Sequence, residues 1–288
     1  MEQNKSKKIL LDLGLVKESN IVTLTDQVRD RIDVGVLMDK ETGVIFLNRT
    51  DHIDIEHYSE ISDASYWGVS SREEALKKYA EDDLRRFQMF QQQLTGLDVV
   101  DVGCGTGGFM DYAKTVTKKI VGVEPQIYVQ DELKKLGSEM YSFTENLPEQ
   151  SFNVATLFHT LEHLIQPLKV LTEIRKSLLP GSTLIVEVPH ARDVLLALES
   201  FKKFTFWSEH LILHTKTSLS KFLEEAGFVD VEVFGYQRYP VSNHLHWLAK
   251  NKPGGQNFYP NFDFVNNDYV DLLIESDKTD TLIAIAKT

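Results

Sequence analysis

The chain has 288 residues, 42% of them hydrophobic and 26% charged, long enough to bury a full core without disulfide or metal staples. No apolar run approaches the ~18 residues of a membrane-spanning helix, and 43 acidic against 31 basic residues give a formal charge of -12, which opposes binding to a nucleic-acid backbone. The single cysteine, Cys104, excludes an intrachain disulfide and a Cys-x-x-Cys zinc site.

The polar start, Met1 to Lys8, leads into only a short apolar stretch before Asp12, without the pattern of a secretory signal; the chain is therefore expected in the cytoplasm. Residues 1–70 read as an N-terminal extension. Within it, Val34 to Met38 and Val44 to Leu47 flank a loop containing Gly43, which predicts a hairpin. Ser71 to about Leu94 carries Ala75, Tyr79, Leu84, Phe87 and Phe90 at helical spacing among many charges and stops before Gly96, the pattern of a long amphipathic helix.

After Gly96, short apolar runs alternate with helical stretches. Leu97 to Val102, Lys119 to Val123, Phe152 to Phe158 and Ser182 to Val188 predict strands buried on both faces, with helices near 108–117, 128–136 and 166–178. That alternation predicts an α/β fold, a mainly parallel doubly wound sheet with right-handed crossovers. A helix over Thr217 to Ala226, a strand near Val229 to Phe234, a long irregular insert and a last strand at Thr281 to Ala286 follow.

The most informative segment runs from Val99 to Phe109, a strand entering a glycine-rich turn that opens a helix. Gly103, Gly105 and Gly108 satisfy the dinucleotide fingerprint, while Asp101, Gly103, Gly105 and Gly107 satisfy the acid-x-G-x-G-x-G pattern of S-adenosylmethionine enzymes. Glu124 ends the next strand, where a carboxylate can accept both ribose hydroxyls in either class. Asp101 tips the balance, because an acid there repels a pyrophosphate and favours a ligand carrying an ammonium or amide.

The loop Asp101 to Gly108, Glu124, Leu147-Pro148 with Ser151-Phe152-Asn153, Phe158 to Leu164, and Leu179-Pro180-Gly181 resemble the class I S-adenosylmethionine-dependent methyltransferases, most closely the bacterial sugar and small-molecule branch. The resemblance covers about 95–235 and is completed by the strand at 281–286. It implies a Rossmann-like seven-stranded sheet whose last strand is antiparallel, within a methyltransferase domain over 71–288 that includes a substrate-side insert at 236–268. It implies S-adenosylmethionine as cofactor, held by Asp101, Gly103, Cys104, Gly105, Gly107, Glu124, Pro125, Phe158 and His159. Phe143 stands where many relatives carry an acid for the adenine amino group, and Asn153 replaces the usual Asp. The hairpin is similar to a segment that carries a zinc ribbon in relatives, here without its cysteines.

Methyl transfer to oxygen or nitrogen needs an aligned nucleophile and a group to take its proton. A positioned base contributes ~10²- to 10⁴-fold, and histidine suits neutral pH. His210 ranks first as base and His163 second, with Glu209 orienting or charging the base. The same resemblance places this histidine and glutamate at the acceptor, with Trp207 where a tyrosine is usual. Arg238, Tyr239, Asn243, His244 and Trp247 in the insert offer hydrogen bonds and a flat stacking face for a polar ring, with Trp207 as a further substrate-side residue, so a carbohydrate acceptor is expected. Tyr58, Tyr66 and Trp67 can roof the cofactor. The pairs His159/His163 and His210/His214 have the i,i+4 spacing of a helical metal site, yet neither brackets a glutamate in the metalloprotease position, and no metal is expected. An NAD-dependent oxidoreductase and a non-catalytic binding subunit are the alternatives, and a homodimer is compatible with the extension.

Overall fold

The computed structural model describes residues 4–54, 57–59, 61, 63, 66, 68–255 and 260–288. The predicted Trp67 and the insert residues 256–259 lie outside them. Eleven strands and nine α-helices are described, and no described helix is long and apolar enough to cross a membrane.

The large sheet is built from β4 (Asp98–Val102), β5 (Lys119–Val123), β6 (Glu139–Tyr141), β7 (Phe152–Phe158), β8 (Leu178–Pro189), β10 (Val229–Tyr236) and β11 (Thr281–Lys287). Its order is β10-β11-β8-β7-β4-β5-β6. The pairs β4–β5, β4–β7, β5–β6 and β7–β8 are parallel, whereas β11 runs antiparallel between β8 and β10. The expected seven strands with an antiparallel last strand are thus present. The sequence reading passed over β6, whose three residues are too few to show a period.

Successive strand residues point to opposite faces, and both faces are covered. Val99, Ile120, Val154, Ile185 and Ile283 pack under α2 (Arg72–Leu94), α3 (Gly108–Ala113) and α4 (Ile127–Lys135). Val100, Val121, Ala155, Leu184, Val186 and Ala284 pack on the side of α5 (Pro167–Ser177) and α7 (Lys216–Glu225). The helix ends follow local chemistry. Ser71 accepts from the Glu74 amide to cap α2, Pro167 opens α5, and Thr215 with Ser218 forms a capping box on α7.

The N-terminal region begins with α1 (Lys5–Asp12) and places β1 (Ile21–Thr25), β2 (Val36–Asp39) and β3 (Ile45–Leu47) in an antiparallel sheet. The expected hairpin is β2–β3, and its loop is organised by the Asp39 carboxylate, which accepts from the amides of Lys17, Glu41 and Thr42. The fourth strand is β9 (Ile212–Leu213), two residues past His210, paired with β3. Phe46 and Val44 of the extension share one hydrophobic cluster with Leu161, Leu211 and Leu213. The extension therefore anchors the segment that bears His210.

Between β8 and β9 lies the short α6 (Glu199–Thr205). The insert expected to be irregular contains α8 (Val241–Lys250) and α9 (Asn266–Glu275). The difference has a physical cause: Val241, His244 and Trp247 fall on one buried helical face, although Pro240 and the 252–254 turn read as loop signals.

Candidate active site

The glycine turn leaves β4 with Gly103, Gly105 and Gly107 at φ +70°, +50° and +78°, a region that side chains with a Cβ rarely adopt. Space is as restrictive as the backbone. A Cβ on Gly103 would overlap the Thr160 side chain, and one on Gly108 would overlap the Asp83 carboxylate. The Gly103 and Cys104 amides donate to the Val123 carbonyl at 2.8 and 3.2 Å, fastening the turn to β5.

Two carboxylates are buried at this turn. Asp101 accepts the Thr156 hydroxyl at 2.7 Å, and burial pushes its pKa up to about 7. Glu124 accepts the Gly105 and Gln126 amides, each at 3.1 Å, and burial pushes it up to about 7 as well. Pro125 follows Glu124 at the end of β5. Burial also raises the Cys104 thiol, which favours its neutral form.

A cavity of about 470 Å³ starts at this turn. Of the residues expected to form the site, its wall holds Gly103, Cys104, Gly105, Phe158, His159, His210, Arg238, Tyr239, Asn243 and His244. The described wall does not include Asp101, Gly107, Glu124, Pro125, His163, Glu209 or Trp207. Phe158 stacks on Phe90 and meets Phe109 edge-on.

His159 follows β7 with φ +48°. Its Nδ1 is 3.0 Å from Glu162 Oε1 and its Nε2 is 3.2 Å from Glu187 Oε1. Burial and Arg238 oppose its protonation, but the hydrogen bonds to these two carboxylates prevail and its pKa is raised. Glu187 is fully buried at the end of β8 and also takes Arg85 at 2.8 Å and Arg86 at 2.9 Å, both from α2. Although burial opposes ionisation, Arg86 and the hydrogen bonds from His159 and Arg85 hold Glu187 well below the usual carboxylate range.

Beyond His159 the chain turns through a 3-10 segment, Leu161–His163, and meets the segment before β9. The rings of His163 and His210 lie 4.9 Å apart, edge to face, and Trp207 stands 5.8 and 5.5 Å from them. Arg29 covers Trp207 at 4.7 Å, so that indole is a support for the histidines. Burial pushes His210 down to about 3, with His163 as the next cause, and burial also lowers His163. Glu209 does not reach the His210 ring by any described hydrogen bond. Its carboxylate accepts Tyr66 at 2.7 Å and Tyr58 at 3.3 Å, and lies 3.2 Å from His57.

The far wall is already internally bonded. Arg238 faces Asp82 at 3.3 Å and Asp280 at 3.8 Å, and His244 pairs with Tyr269 at 2.7 Å. The Asn243 side chain accepts from the Gly254 amide at 3.2 Å. Trp247, expected as a stacking face, is buried against Phe201 and Phe204. The wall also holds Asp83, Arg86 and Asp193, which the sequence reading missed. Burial pushes Asp83 up to about 6 and Asp193 up to about 7. For Asp83 and Arg86 the one sequence signal was the acid and base spacing within α2, which reads equally as a solvated face, and Asp193, in the loop after β8, had none.

A family model described as a methyltransferase domain matches residues 72–233, more than half of the chain. The chain belongs to this methyltransferase family. A tRNA U34 carboxymethyltransferase of Desulfotalea psychrophila is 26% identical to it over 218 residues, 67% of each chain. The fold is shared with a SAM-dependent methyltransferase of Thermotoga maritima at 21% identity, covering 74% of this chain and 90% of that one with a TM-score of 0.50. It is also shared with a chain of the complex between the Haloferax volcanii Trm112 methyltransferase activator and a methyltransferase, at 12% identity, coverages of 78% and 95%, and a TM-score of 0.51.

The methyltransferase uses S-adenosylmethionine, and its residues fit that group. The turn presents backbone without Cβ atoms at Gly103 and Gly105, and Asp101 and Glu124 are buried carboxylates bonded to a hydroxyl and to amides instead of to guanidinium groups. A cationic ligand with ribose hydroxyls complements such a set. The two histidine pairs considered for a metal are not helical in the methyltransferase: His163 ends a 3-10 turn, and His214 is buried beyond β9 against Ser218. The structure instead joins His163 and His210 to Glu162, a residue to which the sequence assigned no role.

Proposed function

We propose that the methyltransferase transfers a methyl group to a hydroxyl of a small polar ring, a sugar or sugar derivative, held between the glycine turn and the insert helix α8. The reading rests on one observation: a single cavity of about 470 Å³ joins Gly103 and Gly105 to His159, His210 and the polar wall of Arg238, Asp193 and Asp280. A cofactor at the glycine turn and an acceptor against this wall would thus share one space, as an in-line displacement requires.

S-adenosylmethionine supplies a methyl group on a sulfonium whose departure leaves a neutral thioether. The chain's own residues do the rest. Gly103 and Gly105 let the backbone approach the ligand, Glu124 offers its carboxylate to ribose hydroxyls, and buried Asp101 supplies negative potential beneath the turn. His210, on the cavity wall and kept neutral by burial, accepts a hydrogen bond from the acceptor hydroxyl and takes its proton only as the oxygen bonds to the methyl carbon and becomes strongly acidic. His163 and Trp207 hold the His210 ring in place, and Glu209 fixes His163 through Tyr58.

The printed name of the Desulfotalea relative raises a tRNA acceptor as the competing reading. The charge of -12 and a recessed wall bearing Asp82, Asp83, Asp193 and Asp280 favour a small molecule over a polyanion. The test is methyl transfer from labelled S-adenosylmethionine to a panel of free sugars, nucleotide sugars, small phenols and bulk tRNA. Label in a sugar-class acceptor, lost in His210→Ala with cofactor affinity retained, supports the reading. Label in tRNA alone overturns it.

A further inference from the structure

We propose that Glu162, His163 and His210 form a binding site for one divalent first-row transition-metal ion, of the zinc or manganese kind, at the inner end of the acceptor cavity. One ligand atom from each of these residues lies within 4.8 Å of the other two. They come from two separate segments, the turn after β7 and the loop before β9, brought together by the pairing of β9 with β3 and by the Leu211 amide donating to the Glu162 carbonyl at 2.8 Å.

A second observation points to a ligand. Glu162 Oε2 and His210 Nδ1 are buried and have no hydrogen-bond partner among the described residues. Glu162 is only 1% exposed, so an unpartnered carboxylate oxygen there loses its hydration without replacement. A cation between the carboxylate and the two imidazoles makes good that loss for both orphan atoms together.

The surrounding bonds orient the three side chains for this task. His159 Nδ1 holds Glu162 Oε1 at 3.0 Å and leaves Oε2 without a partner. Tyr58 donates its hydroxyl hydrogen to Glu209 at 3.3 Å, so its oxygen accepts from His163 Nδ1, 3.4 Å away. That relay places the proton of neutral His163 on Nδ1 and leaves a lone pair on Nε2, the nitrogen 4.0 Å from Glu162 Oε1. Two imidazoles and one carboxylate suit zinc, manganese or cobalt, whereas magnesium and calcium prefer oxygen ligands. His210 lines the cavity, which leaves the remaining coordination positions open towards an acceptor.

The chemical role of the ion rests on the function proposed above. In the metal-free protein His210 takes the acceptor proton itself. With the ion bound, its lone pair is occupied, and the charge of the ion lowers the cost of ionising the acceptor hydroxyl while the proton leaves to water. The tyrosine and glutamate relay then acts as a positioning device for His163.

The test is a titration of the full chain, stripped with a chelator, with Co²⁺ and then Zn²⁺, read by visible absorption and calorimetry without cofactor or acceptor. The site predicts one Co²⁺ per chain with a d–d band of nitrogen and oxygen ligation, displaced by Zn²⁺ and unaffected by Mg²⁺. Glu162→Gln and His163→Gln should each weaken binding at least tenfold, while Glu145→Gln, in an exposed pair with Lys169, leaves it unchanged. S-adenosylhomocysteine binding by each variant verifies that it is folded. Absence of a band and of heat in the wild type, or equal binding by folded Glu162→Gln and His163→Gln, overturns the site. Metal binding without transfer to any sugar would instead count against the proposed acceptor and leave the site standing.

Discussion

Two pairs of buried carboxylates sit a strand or two apart in the large sheet and behave in opposite ways. Asp101 and Glu124, at the glycine turn, are both pushed up to about 7 by burial. Glu162 and Glu187, at the ends of β7 and β8, are equally hidden. Burial opposes ionisation there too, yet His159 takes Glu162 down to about 2, and Arg86, His159 and Arg85 hold Glu187 well below the usual range. Burial alone does not set the charge; the partner does. Glu187 is neutralised within the chain by Arg85 and Arg86, and Glu162 is paired with His159 at one oxygen while its other oxygen has no partner among the described residues. The first pair, by contrast, is held by amides and a hydroxyl and gains from a cationic, hydroxyl-bearing ligand. Around Glu187 the chain thus holds a finished ionic network, whereas the glycine turn becomes complementary only with its cofactor.

The largest expected effect comes from breaking the finished network. Glu187→Ala leaves Arg85 and Arg86 facing each other without their shared carboxylate, and loss of one partner of a buried ion pair costs ~3–5 kcal/mol. Urea unfolding should show this loss; a change near zero would mean that the network contributes nothing to the fold. Next, Gly103→Ala puts a Cβ into Thr160 at φ +70°, with a cost of ~1–3 kcal/mol and loss of cofactor affinity. Normal affinity in this variant would contradict the close fit of the turn.

A third effect separates the two pairs by pH. A carboxyl with a raised folded pKa stabilises the fold below its unfolded pKa, and that contribution is lost as pH rises through the folded value. For Asp101 and Glu124 the window runs from the ordinary carboxylate values of 3.8 and 4.5 up through about 7. Glu187 has the opposite sign, and its contribution disappears only in acid. The cofactor-free protein should therefore melt at a lower temperature at about pH 8 than at about pH 6, and Asp101→Asn should flatten that slope while weakening cofactor binding. An unchanged slope in the folded variant would remove Asp101 from the account. The smallest effect lies far from the cavity: Thr215→Ala removes the capping box of α7 and should cost ~1 kcal/mol without altering cofactor affinity.

The glycine turn was legible in the sequence because its parts are local. Asp101 to Gly108 is contiguous, and Glu124 follows at the end of the next strand. The acceptor end was only half legible. His163 and His210 were picked out as chemistry-bearing residues, but their meeting with Glu162 depends on β9 joining the N-terminal sheet, a contact across more than 160 residues between β3 and β9 that no periodicity reports. Asp82, Asp83, Arg85 and Arg86 read as the wet face of α2, although that face is turned onto Glu187 and the cavity. The role expected of Glu209 beside His210 is filled differently, since Tyr58 and Tyr66 claim its carboxylate. In the insert, helix α8 was hidden because its buried face is made of histidine, asparagine and tryptophan instead of aliphatic residues.

The most direct measurement is calorimetric titration of the full chain with S-adenosylmethionine, S-adenosylhomocysteine and NAD, repeated on Glu124→Gln. The account predicts tight binding of both sulfur ligands and none of NAD, with at least a tenfold loss in the variant, equivalent to about 1.4 kcal/mol. Binding of NAD in preference to the sulfur ligands, or equal affinity in a folded Glu124→Gln protein, would contradict it.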